Sequence, residues 1–190
     1  NSTRRDEMID IHGVMPPIPT PFSADYSVNE EALRSLIEHL VAGGVHAIIP
    51  TGSTGEFARL STEERKRMLE VCLDHVAGRI PVIAGTAAPG TREVVELSRH
   101  AEAAGATALQ IVAPFYGSPS EEEIYNHYRQ VAESVTIPIL IYNNPDTTGI
   151  DIGPDLLARL SEIPTIQGVK EASGDSRRIR QIIGLAGERM

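Results

Sequence analysis

The sequence predicts an α/β protein of the (β/α)8 barrel class, with about six of the eight βα units present. Segments of helical period alternate with near-continuous apolar runs of strand length, which indicates a parallel sheet with its helices outside. The units are nearly equal in length and no Gly-x-Gly-x-x-Gly sequence follows the first run, so a barrel is favoured over a doubly wound sheet. The apolar runs begin 28 to 34 residues apart, near Val14, His46, Ile80, Ala108, Ile137 and Thr165.

The first helix is predicted over residues 29–44. Asn29 is placed to cap its start, and the pair Gly43-Gly44 ends it. One apolar stripe follows the helical period and consists of Leu33, Leu36, Ile37, Leu40 and Val41.

Two later helices begin with a capping box, in which a serine precedes a glutamate by three residues. Ser61 and Glu64 start the second helix, which stops by Gly78, and Ser120 and Glu123 start the fourth. The third helix is predicted over residues 91–105, the fifth begins at Pro154, and the sixth follows Gly174 and Asp175.

Three Ile-Pro pairs mark joints between a helix and the next strand, at residues 80–81, 137–138 and 163–164. Proline stops the preceding helix and is tolerated at the first residue of a strand. The sixth strand, within residues 165–173, begins with β-branched and apolar residues and is expected to be short and buried.

Residues 1–12 are polar and lack the apolar core of a signal peptide, so we expect a flexible lead-in before a barrel domain at residues 13–190. A closed barrel needs eight units in about 250 residues. Six units would leave two open strand edges, which is an aggregation liability. We therefore expect the chain to be a piece of a longer barrel whose last two units follow Met190.

Composition limits the partners of the protein. A net charge of −9 argues against nucleic acid or an anionic membrane, and no apolar run approaches the length of a membrane span. The single cysteine, Cys72, lies in a helical pattern, which excludes a disulfide within the chain and favours a reducing compartment. We expect a soluble, cytoplasmic protein.

The active site of a barrel forms at the carboxyl ends of its strands. Lys170 ends the sixth apolar run, where desolvation disfavours the ammonium form and lowers the pKa of a lysine. Such an amine can attack a carbonyl carbon and form a Schiff base. The alternative is a strand-end lysine with its head in solvent.

Further polar groups follow other strands. The GSTG loop at residues 52–55 is rich in hydroxyls and backbone N–H groups and can hold a carboxylate, although a plain tight turn is the alternative. Tyr116 and Tyr142 are placed at strand ends in the layer of Lys170, where a phenol can relay protons. Packing at the rim, with the hydroxyl hydrogen-bonded, is the alternative for each tyrosine.

Several other chemistries are poorly supported. The six histidines show no His-x-His or His-Glu-x-x-His spacing, so no metal site is expected. There is no Gly-x-Ser-x-Gly elbow, Cys72 lies in mid-helix, and no Gly-Lys-Ser/Thr follows the GSTG loop as it would in a P-loop. Neither a metal nor a cofactor is expected.

Three motifs, in order and at matching spacing, carry a resemblance: GSTGE at residues 52–56, YNNP at 142–145 and GVKEAS at 168–173. From Gly13 onward the chain resembles the dihydrodipicolinate synthase / N-acetylneuraminate lyase family. The resemblance implies a class I aldolase-type (β/α)8 barrel that is active without metal and is usually a homotetramer built as a dimer of dimers. Its substrate would be pyruvate or a pyruvate-derived 2-keto acid.

The resemblance also implies roles for individual residues. Lys170 would form the Schiff base with the keto carbon, and Tyr142 would be the general acid and base. Ser53 would link the tyrosines in a proton relay, in which Tyr116 reaches into the neighbouring subunit's site in synthases of the family. The substrate-binding positions would be Gly52, Ser53, Thr54 and Thr147.

Thr147 marks a departure from the synthase pattern. Synthases of the family carry an arginine there, two residues after the proline of the Tyr-Asn-x-Pro motif, which helps bind the carboxylate of the aldehyde substrate. Its loss favours a lyase, aldolase or dehydratase acting on another 2-keto acid over the synthase that condenses pyruvate with aspartate semialdehyde. A non-catalytic keto-acid-binding homologue is a third possibility, against which the retention of Lys170 and Tyr142 argues.

Overall fold

The computed structural model describes residues 9 and 11–190, so most of the expected lead-in at residues 1–12 lies outside the described residues. Seven α-helices are present in this part of the chain, besides a short 3-10 helix at Phe57–Arg59. The helices are α1 Glu30–Ala42, α2 Thr62–Val76, α3 Thr91–Ala104, α4 Glu121–Ala132, α5 Pro145–Thr148, α6 Pro154–Leu160 and α7 Ser176–Ala186.

Four strands form one sheet in the order of the chain: β1 Ile83–Gly85, β2 Ala108–Val112, β3 Ile139–Asn143 and β4 Ile166–Glu171. β1 pairs with β2 in parallel, and so does β3 with β4. Each strand follows a helix, and the Ile-Pro pairs correctly predicted this joint for β1, β3 and β4. Two residues that are register partners in parallel strands lie side by side. When both are at the ends of their strands, they lie at the same edge of the sheet.

The described chain divides into two compact units. The lysine unit comprises Ile9, Ala87–Val95 and Ile111–Met190, and the loop unit comprises Ile11–Thr86 and Glu96–Gln110. In the lysine unit α6 packs against α7 and α4, while in the loop unit α1 packs against α2. The buried core of the loop unit includes Leu33, Ile37, Met68 and Ile83.

The helix starts confirm the sequence prediction, because the signals are local. Asn29 accepts a hydrogen bond from the backbone N–H of Ala32, as a cap of α1 should. Ser61 and Ser120 form complete capping boxes with Glu64 and Glu123 at the starts of α2 and α4.

The first two predicted strands are shorter than expected. They appear as isolated parallel bridges, Pro17 with Ile49 and Ile48 with Val82, within the loop unit. Prolines interrupt both segments, at positions 16, 17, 19 and 50, and proline has no N–H to donate to a ladder. The hydrogen bonds that remain keep the parallel arrangement, with Ile18 N donating to Ile49 O at 3.1 Å and Ile83 N donating to Ile48 O at 3.0 Å.

The expectation of a buried sixth strand is wrong in part. Of the residues in β4, only Ile166 is buried, and the following residues through Glu171 are partly exposed. β4 is the last strand in the order of the described sheet and pairs with β3 on one side. A strand paired on one side loses less of its surface than a central strand does.

None of the helices in residues 9 and 11–190 combines the length and the apolar character that crossing a membrane requires.

Candidate active site

Lys170 and Tyr142 lie side by side at the carboxyl ends of two paired strands of the lysine unit. They are partners in the parallel register of β3 and β4, each one residue before its strand ends. The Nζ atom of Lys170 lies 4.1 Å from the centroid of the Tyr142 ring. The phenol ring therefore covers one side of the amine and takes the place of water there.

The surroundings perturb both groups. Desolvation lowers the pKa of Lys170 from the ordinary 10.5, so the amine loses its proton more readily than an exposed lysine does. Burial raises the pKa of Tyr142 above the ordinary 10, while a hydrogen bond from Asn144 acts in the opposite direction. A more readily neutralised amine beside a phenol that keeps its proton is the pairing that imine chemistry uses.

Asn144 connects two of the candidate site positions. Its Nδ2 atom donates to Tyr142 Oη at 3.0 Å and to Thr147 Oγ1 at 3.0 Å. Thr147 is exposed in the short helix α5. Because Asn144 bonds both oxygens, the hydroxyl of Thr147 and the phenol of Tyr142 belong to one hydrogen-bonded group.

Asn143 ties together the chain segments that follow the two reactive positions. Its buried Nδ2 atom donates to Asp151 Oδ1 at 3.1 Å and to Glu171 Oε2 at 3.0 Å. Its Oδ1 atom accepts from the backbone N–H of Ile152 at 3.0 Å, and Asp151 is held in turn by Arg178. Because Asn143 follows Tyr142 and Glu171 follows Lys170, these bonds fix the ends of β3 and β4 to each other.

Sequence reasoning missed the roles of Asn143 and Asn144. Both belong to the YNNP motif at residues 142–145, but the motif alone predicts no contact for either amide. Their position beside Tyr142 at a strand end was the signal available in the sequence.

The predicted carboxylate-binding loop lies in the loop unit. Ser53 and Thr54 are exposed at the tip of a turn, and Gly52 is buried beneath them. The turn closes through a hydrogen bond from Glu56 N to Ser53 O at 3.1 Å. Exposed hydroxyls on a closed turn are available to an incoming anion. Carboxylate binding by Ser53 and Thr54 therefore stays a prediction.

Thr51 fixes the start of this loop. It has a positive φ of 55°, a conformation that costs energy in a β-branched residue. Its buried hydroxyl donates to Gly85 O at 2.9 Å, and Arg65 donates to the same oxygen at 3.2 Å. These contacts hold the strained residue at the end of β1.

Gly85→Ala is expected to destabilise the protein, because an added Cβ atom would clash with the backbone oxygen of Thr51. Backbone atoms cannot move away cheaply, so the free energy of unfolding should fall by about 1–3 kcal/mol in urea titrations. Gly184→Ala is the matched control, since nothing lies within 4 Å of that Cβ position in α7. It should be neutral or stabilising by about 0.5–1 kcal/mol. Equal stability of the two variants would contradict the close approach at Gly85.

Tyr116 is not at a strand end, which corrects the expectation that it ends the fourth predicted strand. β2 ends at Val112, and Tyr116 lies four residues further on in a loop, with 87% of its surface exposed. Pro114 cannot donate to a ladder and Gly117 has a φ of 108°, so the chain turns away from strand geometry here.

Among the described residues, no group of three or more His, Cys, Asp or Glu side chains is arranged as the ligands of a metal ion. Cys72 is buried, and desolvation raises the pKa of its thiol to about 12, so it is a poor nucleophile at neutral pH.

Comparison with known proteins identifies the family of the chain. The sequence profile of the dihydrodipicolinate synthetase family matches residues 10–190. The chain belongs to this family. The 4-hydroxy-tetrahydrodipicolinate synthase of Phenylobacterium zucineum is 45% identical over 170 residues, which cover 88% of this chain and 58% of that protein.

Solved structures of the family agree. A dihydrodipicolinate synthase from Acinetobacter baumannii complexed with pyruvate is 39% identical, with a TM-score of 0.91 over 94% of this chain and 61% of that one. YagE, a prophage protein of the family from E. coli K12 in complex with pyruvate, is 36% identical, with a TM-score of 0.91 over 94% of this chain and 60% of that one.

These likenesses confirm the predicted family and the barrel fold class. The chain spans about 60% of the length of the relatives that it matches.

Proposed function

We propose that the protein forms a Schiff base between Lys170 and the keto carbon of pyruvate or of a pyruvate-derived 2-keto acid. The observation that carries this proposal is the amine of Lys170 at the end of β4, with its pKa lowered by desolvation and its Nζ atom 4.1 Å from the Tyr142 ring. An exposed lysine on a helix would have neither feature.

The proposed chemistry needs protons to move at defined atoms. The neutral amine of Lys170 adds to the keto carbon and gives a carbinolamine, whose hydroxyl must be protonated before it leaves as water. Tyr142 Oη would supply that proton and later take one back from carbon or oxygen. The protonated imine then withdraws electrons, so that a bond to the neighbouring carbon can form or break through an enamine.

Other parts of the chain would bind and orient the substrate. Gly52, Ser53 and Thr54 would hold its carboxylate through backbone N–H and hydroxyl groups, which places the keto carbon for attack. Tyr116, exposed in its loop, would complete the proton relay in a neighbouring subunit of a homotetramer. We infer that no metal and no cofactor takes part, and that the enzyme works in the cytoplasm.

The names of the relatives support the synthase reaction better than the lyase that the sequence favoured. Proteins named 4-hydroxy-tetrahydrodipicolinate synthase are 41–46% identical to this chain. The proposed reaction is therefore the condensation of pyruvate with aspartate semialdehyde by attack of the enamine on the aldehyde carbon.

One observation favours a second candidate, a lyase, aldolase or dehydratase acting on another 2-keto acid. The position that carries an arginine in synthases is Thr147, a neutral hydroxyl bonded to Asn144. A hydroxyl cannot form the bidentate, charge-assisted bond with which arginine holds a carboxylate. A substrate with a neutral, hydroxyl-bearing distal part would suit this position better.

Borohydride trapping tests the imine directly. The chain contains two lysines, Lys66 and Lys170, so peptide mass mapping can assign an adduct without ambiguity. Reduction in the presence of pyruvate should leave a pyruvyl adduct on Lys170 and leave Lys66 unmodified. An unmodified Lys170 in the folded protein would overturn the mechanism and favour a non-catalytic binder.

Product analysis separates the two enzymes. The proposed synthase should turn over pyruvate and aspartate semialdehyde at a rate well above that with other aldehydes. Trapping on Lys170 without condensation, together with release of pyruvate from another 2-keto acid, would establish the lyase instead.

A further inference from the structure

The amide of Asn144 is engaged on both of its N–H groups. Nδ2 donates to Tyr142 Oη and to Thr147 Oγ1, each at 3.0 Å. A primary amide carries two N–H donors, so this arrangement uses both and orients the amide plane.

The backbone of Asn144 is also fixed. The residue precedes α5, and its carbonyl oxygen accepts from Thr147 N at 3.1 Å and from Thr148 N at 3.0 Å. The hydroxyl of Thr148 donates to the same oxygen at 2.9 Å. These bonds hold the main chain of Asn144 in place, while the two hydrogen bonds of the amide hold its side chain.

A donor on the phenol oxygen has a defined chemical effect. It stabilises the phenolate more than the phenol, and it leaves the hydroxyl proton of Tyr142 to point toward another acceptor. Lys170 Nζ lies over the ring face, and the bond to Oη comes from Asn144. The amide thus opposes the effect of burial on this phenol.

We propose that Asn144 is a positioning residue that donates to Tyr142 Oη and directs the Tyr142 hydroxyl proton toward another acceptor. Its importance for turnover rests on the proposed function, in which Tyr142 Oη gives and takes the protons of the imine steps. Asn144 bonds the phenol oxygen and acts on the reaction through Tyr142.

Titration of Tyr142 tests the proposal without substrate. In intact protein labelled with 13C at tyrosine Cζ, the Tyr142 signal is assigned by its loss in Tyr142→Phe. Asn144→Asp keeps the size of the side chain and cannot donate, so the pKa of Tyr142 should rise by about one unit or more. Asn144→Leu, which removes the hydrogen bond without adding charge, should raise it by about one unit. Circular dichroism checks that each variant is folded.

Thr147→Val is the matched control, because it removes the other partner of the amide and leaves the bond to Tyr142. It should leave the titration of Tyr142 unchanged. An unchanged or lowered Tyr142 pKa in Asn144→Leu would overturn the proposal, whatever the charged Asn144→Asp shows, since a fall would mean that the amide oxygen accepts from the phenol.

The pH dependence of kcat supplies the catalytic part of the test. The limb of the pH profile of kcat that reflects ionisation of Tyr142 should move to higher pH in Asn144→Leu. The shift should equal the change in the Tyr142 pKa measured by titration. A shifted titration with an unmoved limb would overturn the role of Asn144 in turnover. Failure of borohydride trapping on Lys170 would instead overturn the proposed function, so the two failures are distinguishable.

Discussion

Lys170→Ala is expected to abolish both turnover and the trapping of pyruvate by borohydride. The variant has no amine at the end of β4, so the electron-withdrawing imine cannot form. The loss of kcat should reach about four to six powers of ten, the range found when a covalent nucleophile is removed from an enzyme. Steady-state rates and mass mapping of the reduced protein measure the two effects.

Lys170→Arg separates nucleophilicity from charge. Arginine keeps the positive charge near the Tyr142 ring but does not lose its proton in proteins, so it cannot attack a keto carbon. The variant should be as inactive as Lys170→Ala. Appreciable turnover in Lys170→Arg would mean that the cation alone is needed.

Lys66→Ala is the matched control for the other lysine of the chain. Lys66 is on α2 and pairs with Glu96, with an N–O distance of 2.5 Å, and takes no part in the proposed site. Its replacement should leave both trapping and turnover close to wild type. A loss of trapping in Lys66→Ala would mean that the imine forms on Lys66 and not on Lys170.

The pH dependence of trapping follows from the environment of Lys170. Desolvation lowers the pKa of its amine, so the neutral form is present at lower pH than for an ordinary lysine with a pKa of 10.5. The rate of imine formation should therefore rise with pH and level off below pH 10.5. A rise that continues through that value would show an amine that is not desolvated.

Local signals explain which parts of the fold could be predicted from the sequence. The starts of α2 and α4 depend on a serine and a glutamate within one turn, and both were correctly predicted. The strand signals are less local. The segments around Ile18 and Ile48 have the apolar character of strands, but how far each ladder extends depends on which N–H groups the neighbouring prolines remove.

In the candidate site, too, some features could be predicted from the local sequence and others could not. Lys170 and Tyr142 could be placed at strand ends from the apolar runs, and the register of β3 and β4 pairs them. The hydrogen bonds of Asn143 and Asn144 could not be predicted, because they depend on the path of the chain through α5 and on side-chain rotamers. Tyr116 was placed wrongly, since an apolar run does not mark the residue at which a strand ends.

Tyr142→Phe is expected to lower kcat by about two to four powers of ten, the usual contribution of a general acid or base. The substitution removes Oη alone and keeps the ring that lies 4.1 Å from Lys170 Nζ. Desolvation of the amine should persist, so the imine should still form, although slowly. Stopped-flow measurement of imine formation and steady-state turnover would show the loss in the proton-transfer steps.

Tyr125→Phe is the control for a tyrosine outside the site. Tyr125 is on α4, where its ring stacks with Arg159 at 3.8 Å, and loss of its hydroxyl should leave kcat unchanged. If Tyr142→Phe retained wild-type kcat, the phenol would have no part in proton transfer. If it instead lost trapping altogether, the hydroxyl would be needed to form the imine, and the ring alone would not account for the reactivity of Lys170.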